Sequence, residues 1–357
     1  MPELLTCAQP VISEAEQTGI FRNWVLKGGV GIILVVFGHV IKGLITVKLI
    51  DPVFFYYAVN FVYSFHMPLF FILSGYFFVK SFLKRGAADF TVNKLETIIY
   101  PYVVWSLIQT FIEIRLSAYT NNHTKASELF TCLYLPRSQF WFLFALFFIN
   151  ILNVLLFKIS VKWGAFLSII IWWAYYFLNY KVPVFDKALL NLLYFTAGIL
   201  LSQYNHVCNL IIKNSYLFAA NLLVFAASLY VYFNFPQTSW YNLIIPQLSG
   251  SFVIMYLSEK MTYRSGFSFL EYLGVNSLVI YLVHMLAGNG TRIFLAKILH
   301  VNNSIVHIVL GTLMGILIPL AVLNIASKTK YLSWLFKFPL LKKTKGKNSG
   351  TVAETIA

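Results

Sequence analysis

The chain has 357 residues, of which 59% are hydrophobic and 11% charged, and its mean hydropathy is +0.75. This composition excludes a soluble globular domain and indicates an all-α, polytopic membrane helix bundle. The formal net charge of +15 does not indicate a nucleic-acid partner, because the basic residues flank apolar stretches, as they do in membrane proteins. Cys7, Cys132 and Cys208 lie far apart, so we expect neither a disulfide framework nor a metal site.

Apolar stretches long enough to cross a bilayer recur along the chain. A polar segment, 1–27, precedes the first stretch and has no cleavage site, so we expect a retained span and not a signal peptide. We expect a membrane domain over 28–327 and a Lys-rich cytoplasmic tail over 328–357. Basic residues favour the inside face if both termini are cytoplasmic. We predict about ten transmembrane helices, at 29–47, 53–79, 96–116, 139–157, 162–180, 187–203, 214–234, 241–258, 267–288 and 303–326.

The second predicted span differs from a plain membrane anchor. It carries His66, Pro68 and the pair Ser74-Gly75 within apolar sequence. An ionisable side chain at membrane depth usually marks a pathway or a site. Proline interrupts regular helix hydrogen bonding, and small residues let a second backbone approach closely. We therefore expect this stretch to organise a functional site.

Two other predicted spans also contain a histidine, His39 and His284. At about 1.5 Å per residue, all three histidines lie between the bilayer midplane and its outer leaflet, and we predict that they converge on one interior cavity. Polar residues with helical spacing form a stripe on three spans. The stripes are His39, Lys42 and Thr46; Ser106, Gln109 and Glu113; and Ser277, Tyr281 and His284. Trp141 opens the fourth span, where tryptophan suits either a site or interfacial anchoring.

The residues alone leave two functions open. A neutral histidine near the membrane centre can take a proton from a hydroxyl that attacks an acyl carbonyl. The same residues suit a proton-coupled transporter, although the internal repeats typical of transporters are not visible. A cavity that opens to the inside face and is lined by His39 and basic loop residues would favour the enzyme.

Five segments resemble the acyltransferase 3 family of integral-membrane acyltransferases, especially the branch of fucose 4-O-acetylases. The most specific is Phe65-His66-Met67-Pro68-Leu69-Phe70-Phe71, followed by Ser74-Gly75. The segments follow the family order and cover 27–39, 63–76, 100–102, 140–143 and 272–284. The sequence departs from the family at Trp24, where an acidic residue is usual, and by one extra residue between Lys27 and His39.

The resemblance implies an O-acyltransferase, with O-acetyl transfer from acetyl-CoA as the first expectation. The acceptor would be a sugar hydroxyl of a cell-surface polysaccharide or its lipid-linked precursor, and the location the bacterial inner membrane. The expected partners are acyl-CoA, the glycan acceptor and membrane lipid, with no nucleic acid; no cofactor beyond the donor and no metal are expected. The alternatives are a flippase for a lipid-linked sugar and an inert partner of polysaccharide assembly.

The resemblance and the stripes together give three groups of candidate site residues. His39 matches the family's catalytic histidine and Lys27 the basic residue before it. The catalytic candidates are His39, His66 and Glu113. The substrate-binding candidates are Lys27, Lys42, Ser74, Trp141, Ser277, Tyr281 and His284. Acyl-CoA carries several phosphates, which need cations, and the candidates for binding it are Lys80, Lys84, Arg85 and Lys94 on the loop after the second span.

Overall fold

The computed structural model describes residues 19–116, 125–158, 160–178, 182, 184–235, 241–262 and 268–337. Most of the predicted tail therefore lies outside the described residues. Within them the chain is helical and contains no strand, which confirms the predicted all-α bundle. The helices are α1 (Gly19–Thr46), α2 (Pro52–Tyr63), α3 (His66–Lys94), α4 (Tyr100–Arg115), α5 (Glu128–Thr131), α6 (Trp141–Leu156), α7 (Val161–Leu178), α8 (Asp186–Gln203), α9 (Asn205–Lys213), α10 (Ser215–Asn234), α11 (Tyr241–Thr262), α12 (Ser268–Val275), α13 (Ser277–Ile293), α14 (Ser304–Ser327) and α15 (Lys330–Ser333).

Seven stretches of the described chain are long and apolar enough to cross a membrane. One of them, Phe55–Arg115, has 61 residues, more than twice the roughly 20 that one crossing needs, and it contains most of the second and third predicted spans. The sixth and eighth predicted spans correspond to α8 and α11, which are helical but are not among the seven. The ninth predicted span is two helices, because the chain leaves the helix at Asn276, between α12 and α13.

The second predicted span is also two helices. The break lies at Phe65, whose φ of −139° and ψ of −17° are not helical. Pro68 falls in the first turn of α3, where the missing N–H removes no helical hydrogen bond. The ring Nδ1 of His66 donates to the carbonyl oxygen of Val62 at 2.8 Å, across the break. Pro68 therefore lies in the opening turn of α3, and the interruption of the second predicted span falls at Phe65.

Glycines set the closest helix contact around α3. A Cβ atom added at Gly75 would overlap the carbonyl oxygen of Phe195 on α8, and one added at Gly198 would overlap that of Ile72. The two backbones touch because neither glycine has a side chain, which confirms the role predicted for Ser74-Gly75. Further along, α3 turns at Gly86, where φ is 74° and ψ is 168°, a conformation that glycine adopts at little cost.

The bundle has two distinct ends. We call the end at which α1 begins the amino end, and the end at which α1 finishes the far end. Lys27 and Glu259 join the start of α1 to the end of α11 at the amino end. Ser304 donates to the carbonyl oxygen of Leu49 at 3.0 Å and so joins α14 to the loop after α1 at the far end. Between the ends, buried apolar residues fill the bundle, among them Ile32, Val35, Val36, Leu69 and Phe71.

Candidate functional site

A cavity of about 930 Å³ lies at the far end of the bundle. Its wall comes from the far ends of many helices, and includes Thr46 of α1, Glu113 of α4, Arg137 before α6, Tyr176 of α7, Lys187 of α8, Gln247 of α11 and Arg292 of α13. The charge pattern predicts that this end faces outside. The buried apolar core occupies the bundle between His39 and the amino end, so the cavity does not continue to the face predicted to be inside. That orientation stays a prediction.

The structure brings the three predicted histidines together, with His39 and His66 beside Tyr63 and His284 beside His39. Of the three, His284 is not among the described residues that line the large cavity. The Nδ1 of His39 lies 3.2 Å from the Tyr63 hydroxyl, and the rings of His66 and Tyr63 are 4.8 Å apart. The rings of His39 and His284 are 5.1 Å apart. His39, His66 and Tyr63 all line the cavity. A titratable group that can act as a base thus lies at the wall of a space large enough for a sugar.

Hydrogen bonds to backbone oxygens fix the tautomer of two of these rings. A carbonyl oxygen can only accept, so Nδ1 carries the proton in His66, which donates to Val62, and in His284, which donates to Tyr281 at 2.7 Å. The Nε2 of His284 is buried and has no hydrogen-bond partner among the described residues. His39 differs, because the Tyr63 hydroxyl can either donate to its Nδ1 or accept from it.

A second, small cavity lies behind His39. Its volume is about 10 Å³, enough for one water-sized group. Its polar lining residues are His39, His284, Asn289, Arg292 and His307, and the others are apolar residues and glycines of α1 and α13. His307 is buried, and its Nε2 donates to the carbonyl oxygen of Val301 at 2.8 Å. A fourth histidine therefore approaches the three that the sequence pointed to.

Glu113 lies at the cavity wall as part of a polar chain. It accepts a hydrogen bond from Gln109 at 2.9 Å, and Gln109 accepts one from Gln139 at 2.8 Å. The guanidinium of Arg137 lies 3.2 Å from the Glu113 carboxylate and 3.1 Å from that of Glu128. This arrangement fixes the Glu113 carboxylate against a cation, as expected of a group that orients a ligand or stabilises the wall.

The remaining predicted cavity residues divide into two sets. Lys42, Trp141 and Tyr281 line the large cavity. The hydroxyl of Tyr281 donates to the Gln139 carbonyl oxygen. Ser74 and Ser277 are not among the described residues that line either cavity.

Lys27 lies near the amino end, about 18 Å along α1 from His39. Its side chain is fully buried, with Nζ 3.1 Å from the Glu259 carboxylate and 5.1 Å from the ring centre of Trp24. Trp24 stacks on Tyr76, with ring centres 3.6 Å apart. Glu259 on α11, far away in sequence, thus supplies a carboxylate for Lys27. On α1 itself, Trp24 stands where the resemblance led us to expect an acidic residue.

The four cations predicted to bind acyl-CoA also lie toward the amino end, on α3. Lys80, Lys84 and Arg85 precede Gly86, and Lys94 follows it. Arg85 donates to the Ser81 hydroxyl at 3.0 Å, and Lys94 lies over the Phe90 ring at 4.9 Å. Lys80 and Lys84 are exposed. None of the four lines the large cavity as the described residues define it.

Sequence reasoning did not select Tyr63, Gln139, Arg292 or His307 as site residues. A signal for Arg292 was present, because His284 and Arg292 are eight positions apart and share one face of α13. Tyr63 gave no such signal, because it ends α2 and meets His39 on a different helix, α1.

A family model described as an acyltransferase domain matches residues 29–324. No curated protein and no solved structure matches the chain. The matched region begins in α1 before His39 and ends in α14, so it contains both cavities and the helices that form them. The chain therefore belongs to the acyltransferase 3 family and is a membrane acyltransferase.

Proposed function

We propose that the protein is an O-acyltransferase of the bacterial inner membrane that moves an acetyl or other acyl group from acyl-CoA to a sugar hydroxyl. The acceptor belongs to a cell-surface polysaccharide or to its lipid-linked precursor. The observation that carries this proposal is the contact between His39 and Tyr63 at the wall of a cavity with the volume of a ligand site. Family membership favours this function over the flippase that the residues alone left open.

The chemistry requires one general base. When the Nδ1–H of His39 donates to the Tyr63 hydroxyl oxygen, Nε2 is the basic nitrogen and accepts the proton of the acceptor hydroxyl. The acceptor oxygen then forms a bond with the acyl carbon, and the carbon–sulfur bond to CoA breaks. The proton on His39 goes to the leaving thiolate. The products are the sugar ester and free CoA, and no further cofactor takes part.

The other cavity residues bind and orient. His66 packs against the Tyr63 ring, so we propose that it positions Tyr63 and indirectly His39. Trp141 and Tyr281 present aromatic surface to the cavity, which suits the apolar face of a sugar ring. Glu113 and Gln139, which Gln109 joins, offer acceptors and donors for sugar hydroxyls at the cavity wall. In this proposal Glu113 binds the acceptor, and proton transfer falls to His39.

The donor and the acceptor approach from different ends in this proposal. Lys80, Lys84, Arg85 and Lys94 would bind the phosphates of acyl-CoA at the amino end. The acceptor would enter the far cavity. The thioester then reaches His39 only if the apolar layer around Val36 and Leu69 opens, since both side chains are fully buried. Donor binding and helix motion are coupled in this proposal.

Mass spectrometry of surface glycans tests the proposal. Glycans from cells that lack the protein should lose an acyl substituent, such as acetyl, that cells with the protein carry. Reintroducing the chain should restore the mass difference, and the exposed variant His300→Gln should do the same, because His300 lies on the surface away from the cavity. Identical ester content in both cell types would exclude a glycan acceptor.

A further inference from the structure

The wall of the far cavity carries more positive than negative charge. Lys42, Arg137, Lys187 and Arg292 line it, whereas Glu113 is the one carboxylate among the described lining residues. Arg137 contacts that carboxylate at 3.2 Å. Within the described chain, the ion pairs do not involve Lys42, Lys187 or Arg292. Three cations of the described cavity wall therefore form no ion pair with a described carboxylate.

Aromatic rings hold two of these cations at the wall. The Nζ of Lys42 lies 5.4 Å from the ring centre of Tyr63, and the Nζ of Lys187 lies 5.6 Å from that of Trp141. A ring face attracts a cation but leaves its charge in place. The two ammonium groups are thus positioned and remain available to a negative ligand.

Arg292 has spare donors. Its Nη1 lies 3.5 Å from the carbonyl oxygen of Gly43, and its Nε is buried with no hydrogen-bond partner among the described residues. A guanidinium has five N–H donors and binds carboxylate or phosphate oxygens in pairs. Buried donors of a cation are ordinarily satisfied. An anionic group at this point would supply the acceptors that Arg292 lacks.

The three observations place this charge next to the catalytic base. Lys42 follows His39 by three residues on the same face of α1, and Arg292 reaches the backbone of Gly43, four residues after His39. We infer that the acceptor carries a carboxylate or phosphate group, bound by Arg292 and Lys42 while a nearby hydroxyl meets His39. This inference rests on the proposed function and specifies its acceptor class. The anionic group is either the carboxylate of an acidic sugar of the uronate type or the phosphate of a lipid-linked sugar.

Binding of three small sugars to the purified protein in detergent tests the inference. We expect calorimetry to show that glucuronic acid or glucose 1-phosphate binds at least about tenfold more tightly than glucose, because only these two carry an anion for the Arg292 fork. A preference for glucuronic acid identifies a carboxylate as the natural group, and a preference for glucose 1-phosphate identifies a phosphate. Equal affinity for all three sugars, or no saturable binding of either anionic one, would overturn the inference.

Variants locate the subsite. Arg292→Gln should abolish the preference for the anionic sugar, and Lys42→Gln should weaken it several-fold. Lys42 is exposed to the cavity, so its variant remains informative if Arg292→Gln does not fold. Lys297→Gln is the charge-matched control, because Lys297 is exposed and outside the described cavity wall. An unchanged preference in Lys42→Gln and in folded Arg292→Gln would refute the site.

Release of CoA from acetyl-CoA is measured on the same preparation. A protein that uses acetyl-CoA but does not prefer anionic sugars would retain the proposed function and lose this inference. A protein that binds anionic sugars but never uses acyl-CoA would keep the anion subsite and lose the proposed acyl transfer.

Discussion

The two ends of the bundle hold positive charge in opposite ways. At the amino end, Lys27 is fully buried and forms an ion pair with Glu259 at 3.1 Å, in a well-packed region. At the far end, Lys42, Lys187 and Arg292 surround a cavity of about 930 Å³ with a single carboxylate among its described lining residues. An isolated charge away from water is costly unless it is paired. The ion pair at the amino end therefore indicates a structural role. The far-end cations, which form no ion pair within the described part of the chain, indicate a negatively charged ligand.

The largest expected effect is on stability at the amino end. Lys27→Met leaves the Glu259 carboxylate buried without its cation, which typically costs about 3–5 kcal/mol. We expect a large fall in the melting temperature of the protein in detergent. The double variant Lys27→Met, Glu259→Met should recover most of that loss, because neither charge remains.

The double variant also distinguishes structure from binding at Lys27. If the ion pair only joins α1 to α11, a folded double variant keeps acyl transfer. A folded but inactive double variant would show instead that Lys27 binds substrate, and the contrast between the two ends would fail.

At the far end, Tyr63→Phe removes the hydroxyl that faces the Nδ1 of His39 and leaves the ring in place. A hydrogen bond is worth about 0.5–1.5 kcal/mol net, so the rate of acyl transfer should fall about two- to twelvefold. Tyr57→Phe is the control, because Tyr57 is exposed on the same helix. An unchanged rate in Tyr63→Phe would exclude the hydroxyl as a partner of the base.

A smaller effect is expected at the proposed donor site. Exposed charge contacts are worth about 0.2–1 kcal/mol each, so Lys84→Gln with Arg85→Gln should weaken acetyl-CoA binding about two- to thirtyfold. The loss should shrink at high salt, because exposed charges are screened. The control pair Lys48→Gln with Lys297→Gln removes the same charge at the far end. If both pairs weaken acetyl-CoA binding equally, the donor does not bind specifically at the amino end.

The smallest effect should follow His66→Gln. Its ring contributes packing against Tyr63 and a hydrogen bond to Val62, and glutamine can still donate that bond. Acyl transfer in membranes should therefore fall less than in His39→Gln. Equal losses in both variants would make His66 a participant in proton transfer.

The sequence predicted the far end better than the amino end. His39, Lys42 and Thr46 share one helical face, and all three line the cavity. Helical periodicity is sufficient to predict these three lining residues, because an isolated polar stripe on an apolar helix must face protein or water. The stripe on α13 was only partly informative, because Ser277 begins the helix and lies away from both cavities.

Long-range partners could not be predicted from the sequence alone. Glu259 meets Lys27 across 232 positions, and no local pattern indicates such a pair. Tyr63 at the end of α2 meets His39 on α1, and no spacing in the sequence indicates that contact. Which helices are neighbours is decided by close packing, such as that of Gly75 against α8, and a single sequence does not report that contact.

The rate of acyl transfer by His39→Gln tests the central claim, that His39 is the general base of the far cavity. Membranes that contain equal amounts of folded wild type, His39→Gln and the exposed control His300→Gln would be supplied with acetyl-CoA, and the transfer of acetyl to glycan measured. Glutamine keeps hydrogen bonding but cannot take the proton, so the rate should fall about 10²–10⁴-fold, while His300→Gln matches wild type. A His39→Gln rate within a few-fold of wild type would contradict the account and leave His39 as a packing residue of the cavity wall.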